Sequence, residues 1–414
     1  MSNAKETKVE DHDYSLQPVP QFARRRLLTM FMIMLGFTFF SASMWTGQTL
    51  GDSLDLSGFI GSLILGGIIL AIYTGSLAYV GAKTGLSLDL LAQHSFGAKG
   101  SYLPSVLTSF TQIGWFGVGV AMFAIPVAKL IAPENPWLPY LLVAIAGICM
   151  TGSAFFGIKA MTIVSYISVP LIIILGVYSM VTAAAEGGGL AYIFAQSAGQ
   201  ITLFTGIGYV IGSFISGGTA TPNFIRFAKN SSIAVWTTVI AFFLGNTLMF
   251  CFGAVGGAYT GKDDIFYVMI AQGLAIPALI VLGANIWTTN NNALYTGGLA
   301  ISNISKVRMK WTTWISGIIG TALAIWLYYN FVSWLSILNC ALPPIGIIVI
   351  LDYFFNHKKF GSDFNEYTIN WFNIAGIIVG AACANLLQWG IAAINAMVVA
   401  AVFFFIGEML GKNK

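Results

Sequence analysis

Long apolar runs alternate with short polar stretches along almost the whole chain. A bilayer core of about 30 Å needs about 20 apolar residues per spanning helix. Twelve runs come near that length, at 27–50, 57–80, 103–128, 137–157, 160–183, 199–220, 234–259, 269–299, 312–329, 331–352, 369–387 and 388–410. The predicted fold is an all-α polytopic membrane protein with twelve transmembrane helices. The turns at Asn330 and Gln388 are very short, so the last four helices are the least sharply bounded.

Two runs carry small and hydroxyl residues at mid-span. The first reads Gly36-Phe37-Thr38-Phe39-Phe40-Ser41-Ala42-Ser43, and the sixth reads Gly212-Ser213-Phe214-Ile215-Ser216-Gly217-Gly218-Thr219. Such residues weaken a helix by about 0.5–1 kcal/mol each relative to Ala, and unwound backbone persists in a bilayer only where it lines a cavity. Glycines also serve plain close helix packing. An odd offset of five helices makes helix 1 enter from one side and helix 6 from the other, the inverted repeat expected of secondary transporters. The expected division is a cytoplasmic tail (1–26), a first inverted repeat of helices 1–5 (27–183), a second of helices 6–10 (199–352), helices 11 and 12 (369–410) and a short tail (411–414).

Of 414 residues, 57% are hydrophobic and 8% charged, against about a quarter charged in a soluble domain, and the mean hydropathy is +0.81. Too few polar side chains remain to cover a water-facing surface, which excludes a soluble globule. The net charge of +4 is scattered rather than gathered on one face, so it does not mark nucleic-acid binding. It reports orientation instead. With both termini inside, 17 of the 19 Lys and Arg fall in inside segments and only Lys129 and Lys262 outside, as the positive-inside rule requires. An error of one helix among the first ten would invert every later loop and erase that bias. The first 20 residues, with Glu10, Asp11 and Asp13, read as a disordered, solvating tail. No cleavable leader is expected, because the first apolar run begins only after Arg24–Arg26 and is long enough to span. Cys149, Cys251, Cys340 and Cys383 sit in apolar stretches without metal or redox spacing and read as small core residues.

The candidate chemistry lies on two helices. Thr108, Thr111, Gln112, Trp115 and Gly119 share one face of helix 3. An amide and a large aromatic one turn apart can offer paired hydrogen bonds and a stacking plane; a packed Trp with a Gln bonded to a neighbouring helix is the alternative. Helix 8 carries Asn285, Thr288, Thr289 and Asn292 at i, i+3, i+4 and i+7. These groups must face protein or water, since burial in lipid without partners costs several kcal/mol; an interhelical network is the structural alternative. The two threonines suit a hard monovalent cation, with carbonyls of Gly36 and Phe39 available from the broken helix 1. No Asp, Glu, Lys, Arg or His falls at the predicted centre of a span, which favours sodium over proton coupling and an uncharged substrate. Gly81-Ala82-Lys83-Thr84-Gly85 lacks the spacing of a phosphate-binding loop. His12, His94 and His357 all lie outside the spans, which leaves no catalytic cluster for an enzyme.

Phe37–Gly47, Gln112–Phe123, Gly212–Ser216 and Asn285–Asn290 together resemble the cytosine permeases of the nucleobase and cation symporter family, over nearly the whole chain. The resemblance implies a five-plus-five inverted repeat of the LeuT-like kind with two extra helices. It implies import of cytosine with sodium across the bacterial cytoplasmic (inner) membrane by alternating access, helices 1, 2, 6 and 7 moving against a scaffold that includes helices 3 and 8. The base is then sandwiched between Trp115 and Phe214, with Gln112, Ser213, Ser216 and Asn285 as edge contacts. Sodium falls to the side chains of Thr288 and Thr289 with carbonyls of Gly36, Phe39 and Asn285. Related transporters often carry a second Trp where this chain has Phe214, a departure that suits a single-ring substrate. Proton coupling and passive facilitation are the rival readings, and no obligate protein partner is implied.

Overall fold

The computed structural model describes residues 13–411, apart from 198, 263, 331–339, 362–368 and 388. Helices dominate the described residues, which hold one isolated bridge, between Arg25 and Ala228. The first predicted span is a broken pair, α1 (Leu27–Thr38) and α2 (Ser41–Ser53), bent by 58° at Phe39–Phe40. Then follow α3 (Leu56–Thr84), α4 (Leu88–Phe96), α5 (Tyr102–Ile131), α6 (Leu138–Ala154), α7 (Gly157–Glu186), α8 (Leu190–Ala195), α9 (Leu203–Thr219) and α10 (Thr221–Ile225). A π-turn at Ala241–Gly245 joins α11 (Ser231–Ile240) to α12 (Asn246–Thr260). The remainder is α13 (Ile265–Ala271), α14 (Ala275–Ser305), α15 (Met309–Tyr329), α16 (Pro343–Asn356), α17 (Trp371–Leu386) and α18 (Ala392–Met409).

By length and apolar character α3, α5, α7, the run Ser231–Ala271 and α18 can each cross a bilayer, as can the bent α1–α2 pair; α6, α9, α16 and α17 are apolar but shorter. The first nine residues of the span predicted over 331–352 lie outside the described residues. The helices form two groups. One joins the α1–α2 pair, α3, α9, α11 and α12; the other joins α5, α6, α14 and α15, and α7 packs on both. The last two helices pack on each other and on α16. With no hydrophobic drive between helices in lipid, close van der Waals approach holds such groups together. At the α2–α12 contact, a Cβ at Gly47 would strike the Phe250 backbone, and one at Gly253 the Met44 carbonyl.

Three expectations change. The sixth span is continuous through Gly212–Thr219 and breaks later, at Ala220 before α10. The cause is Pro222, which has no N–H to return to Gly218; the Thr221 hydroxyl takes that carbonyl instead, at 2.6 Å. Small residues alone do not break a helix that tertiary packing supports. Residues 13–25 are not a solvating tail: Asp13, Ser15 and Val19 are buried, Val19 donates to the Gly85 carbonyl, and Arg25 pairs with the strand-like turn at Phe227–Lys229. Residues 1–12 lie outside the described residues. His94 is not in a loop but on α4, buried with its ring 4.9 Å from that of Phe360.

Candidate functional site

The break between α1 and α2 leaves backbone groups without helical partners, and α14 supplies them. The Thr289 hydroxyl donates to the Phe39 carbonyl at 2.9 Å. The Asn285 side-chain oxygen accepts from the Ser41 amide at 3.0 Å and from the Ser41 hydroxyl at 3.1 Å. The polar stripe of α14 thus serves to hold open a break in a helix far away in sequence.

Beside this junction lies a slot lined by Phe37 and Phe40 from the break, Gln112 and Trp115 from α5, Ser213, Phe214, Ser216 and Gly217 from α9, and Thr289 and Ala293 from α14. About 340 Å³ of atom-free space lies between these residues. Trp115 stands edge-on to Phe40 with ring centroids 5.1 Å apart, and Phe214 edge-on to Phe37 at 5.2 Å. These contacts fix the two rings that the sequence pointed to. Gln112 is 2% exposed, and its amide nitrogen has no hydrogen-bond partner among the described residues. A buried orphan donor costs about 1–3 kcal/mol, which a ligand acceptor in the slot would recover.

Five of the six residues predicted for the substrate, Gln112, Trp115, Ser213, Phe214 and Ser216, line this one slot. The Ser213 hydroxyl donates to its own helix at the Val210 carbonyl and keeps its lone pairs for a donor. Asn285 is not among the lining residues; its side chain is committed to Ser41. The sequence pattern gave no role to Phe37, Phe40, Gly217 or Ala293, although the first three stand inside the two runs of small and hydroxyl residues. Their orientation depends on the bend.

Of the oxygens predicted for the cation, the Thr288 and Thr289 hydroxyls and the Phe39 and Asn285 carbonyls lie together next to the slot. Thr288 donates to the Asn285 carbonyl at 2.8 Å, and Thr289 reaches the same carbonyl at 3.2 Å as well as that of Phe39. Gly36 lies close by: a Cβ there would approach Thr288 Cγ2 to 3.4 Å and Ser165 Oγ to 2.8 Å. Neutral hydroxyl and carbonyl oxygens within hydrogen-bond distance of one another form a donor set that fits a small hard cation.

Below the slot, towards the end that carries the amino terminus, α5 and α14 face each other with buried polar groups. Thr108 Oγ1, Asn292 Oδ1 and Thr296 Oγ1 have no partner among the described residues. The row ends at Asp89 on α4, 2% exposed, which accepts from the Ser105 hydroxyl at 2.6 Å. Asn303 donates to Ser105 and Ser101. Burial pushes the Asp89 carboxyl up to about 6, against the pull of Ser105 and the Arg226 charge. A carboxyl with a raised folded-state pKa holds its proton longer than the unfolded chain does. Its contribution to stability is therefore present below about pH 4 and lost as pH rises through 6. Asp89→Asn is expected to flatten the fall in Tm between pH 4 and 6 by a few degrees, read by thermal unfolding in detergent; an unchanged slope would mean another group titrates there.

The sequence matches the family of permeases for cytosine/purines, uracil, thiamine and allantoin over residues 18–409. The chain belongs to that family. The cytosine permease of Escherichia coli strain K12 is 48% identical over 400 residues, 96% of this chain and 94% of the relative. The purine-uracil permease NCS1 of Arabidopsis thaliana is 22% identical over 343 residues, 72% of this chain and 56% of the relative. Among solved structures, Mhp1, a nucleobase-cation-symport-1 family transporter in a closed conformation with bromovinylhydantoin bound, superposes with a TM-score of 0.79 at 18% identity, covering 95% of this chain and 94% of that one. A Na+-coupled sialic acid symporter in a substrate-bound outward-open state gives 0.72 at 14% identity over 98% and 93%. This permease of helical transporter fold is not an enzyme.

Proposed function

We propose that the protein imports cytosine together with sodium by alternating access. In this reading twelve helices span the bacterial cytoplasmic membrane as a five-plus-five inverted repeat, 27–183 and 199–352, with the added pair 369–410 and both termini cytoplasmic. The observation that carries it is the slot: a Trp and a Phe from two helices, an orphaned buried amide and a set of neutral oxygens converge on one space. The base stacks between Trp115 and Phe214, with its edge read by Gln112, Ser213 and Ser216. Asn285 acts through its main-chain oxygen on sodium, beside Gly36, Phe39, Thr288 and Thr289, while its side chain holds the break. Thr289 both lines the slot and bonds the Phe39 carbonyl, so a cation that orders the junction also shapes the base site. Such coupling is reciprocal.

Uptake of labelled cytosine into proteoliposomes tests this, with an inward sodium gradient set against equal potassium and proton gradients. Accumulation with sodium alone is expected. Accumulation with protons alone would retain the base site and overturn the ion, and no accumulation would overturn the symport reading. The buried carboxyl of Asp89, which burial pushes up to about 6, is the feature that favours the proton-coupled alternative.

A further inference from the structure

We propose that residues 13–19 form a strap that holds the amino-terminal end of the transport path shut, with Arg226 as its clasp, and that the strap lets go each time substrate is released on that side. The inference rests on the transport reading but not on the identity of the substrate. Arg226 follows α10 and is fully buried. Its guanidinium donates to the carbonyls of Asp13 at 2.7 Å and Tyr14 at 2.9 Å, to that of Asn223 at 3.2 Å and to the Tyr295 hydroxyl of α14 at 3.1 Å. It also lies 5.1 Å from the centre of the Phe227 ring. The Asp13 carboxylate in turn accepts from the Ile158 amide at 3.0 Å, in the first turn of α7, where negative charge is favoured. Gly157 has φ +60°, and a side chain there would run into that carboxylate. Further along, Val19 is bonded to Gly85 at the end of α3, and Arg24 Nη1 donates to the Ala82 carbonyl at 2.6 Å.

One short segment therefore ties α3 and the α10 end, which belong to one helix group, to α7 and, through Arg226, to α14 of the other. Moving the α10 end away from α7 and α14 breaks the Arg226–Tyr295 and Asp13–Ile158 bonds together. A buried guanidinium stripped of its carbonyl partners is costly unless water replaces them. Strap release is thus tied to hydration of the polar row that ends at Asp89.

The test uses the full chain with the four cysteines replaced by serine and Thr296→Cys as a reporter below the slot, labelled by an impermeant maleimide in inside-out vesicles without substrate. Asp13→Ala is expected to speed labelling about fivefold, as loss of one charge-assisted bond shifts the closed state towards open, and Asp13→Asn, which keeps an acceptor, by less. An unchanged rate in Asp13→Ala overturns the strap. A second variant, Asp13→Cys with Gly157→Cys, is read oxidised and reduced in the same protein, so folding defects cancel. Oxidation is expected to stop uptake and labelling at position 296, scored on its own peptide because the thiols freed at 13 and 157 also take maleimide, and reduction to restore both; labelling at 296 that ignores the redox state overturns the proposal. Because labelling needs no substrate, failure of the cytosine reading leaves this result interpretable.

Discussion

Trp115→Ala and Phe214→Ala are each expected to weaken cytosine binding by about 1–3 kcal/mol, or about 5- to 150-fold, the range for loss of one aromatic face from a stacked base. Both rings line the slot, and each is braced edge-on by a phenylalanine of the helix break. Replacement by alanine removes the stacking face and also widens the slot. The check is equilibrium binding of labelled cytosine to purified protein at saturating sodium. Lys129→Ala, near the end of α5, is the control and is expected to leave affinity almost untouched. Unchanged affinity in both aromatic variants would move the base out of the slot. A loss in Trp115→Ala alone would leave Phe214 as a wall rather than a platform.

Thr289→Ala is expected to raise the sodium concentration needed for half-maximal cytosine binding by about tenfold, since a hydrogen bond or coordination contact to a charged group is worth about 1.5–3 kcal/mol. Selectivity between cytosine and uracil should change little. The variant also removes the buried donor to the Phe39 carbonyl, which would loosen the helix break without any ion. Thr289→Ser separates the two roles from packing, because it keeps the hydroxyl and loses only a methyl; it should restore most of the sodium dependence. Binding measured across a sodium titration at constant ionic strength gives the answer. Altered base selectivity with normal sodium dependence would remove Thr289 from the ion site and leave it as a slot residue.

What could be read in the chain alone was whatever depends on neighbours within a turn or two. The apolar runs, the interrupted first span, the Gln112–Trp115 face and the Asn285–Thr288–Thr289 stripe are local patterns, and among the described residues helices lie over most of those runs. The lysines and arginines likewise report each short loop by itself. The sixth span breaks later than its small residues suggest because glycine and serine cost a helix only about 0.5–1 kcal/mol each, which packing overrides, whereas the missing N–H of Pro222 removes a hydrogen bond outright.

The rest was settled by contacts across more than two hundred residues. The Thr289 hydroxyl meets the Phe39 carbonyl at a separation of 250 positions, and the Asn285 side chain meets Ser41 at 244; register between two helices, which no local pattern encodes, decides whether an amide reads a ligand or caps a helix. The amino-terminal segment shows the same limit more sharply. Its acidic, proline-containing sequence looks solvated because alone it has no apolar surface to bury, and only the folded protein presents the buried Arg226 and the α7 amide that give its carbonyls and its carboxylate partners. The sequence by itself pointed to an all-helical membrane protein and to six of the ten residues that line the slot; the tertiary structure alone decided which orphaned polar group each side chain satisfies, because a hydrogen bond needs two partners and the chain displays them one at a time.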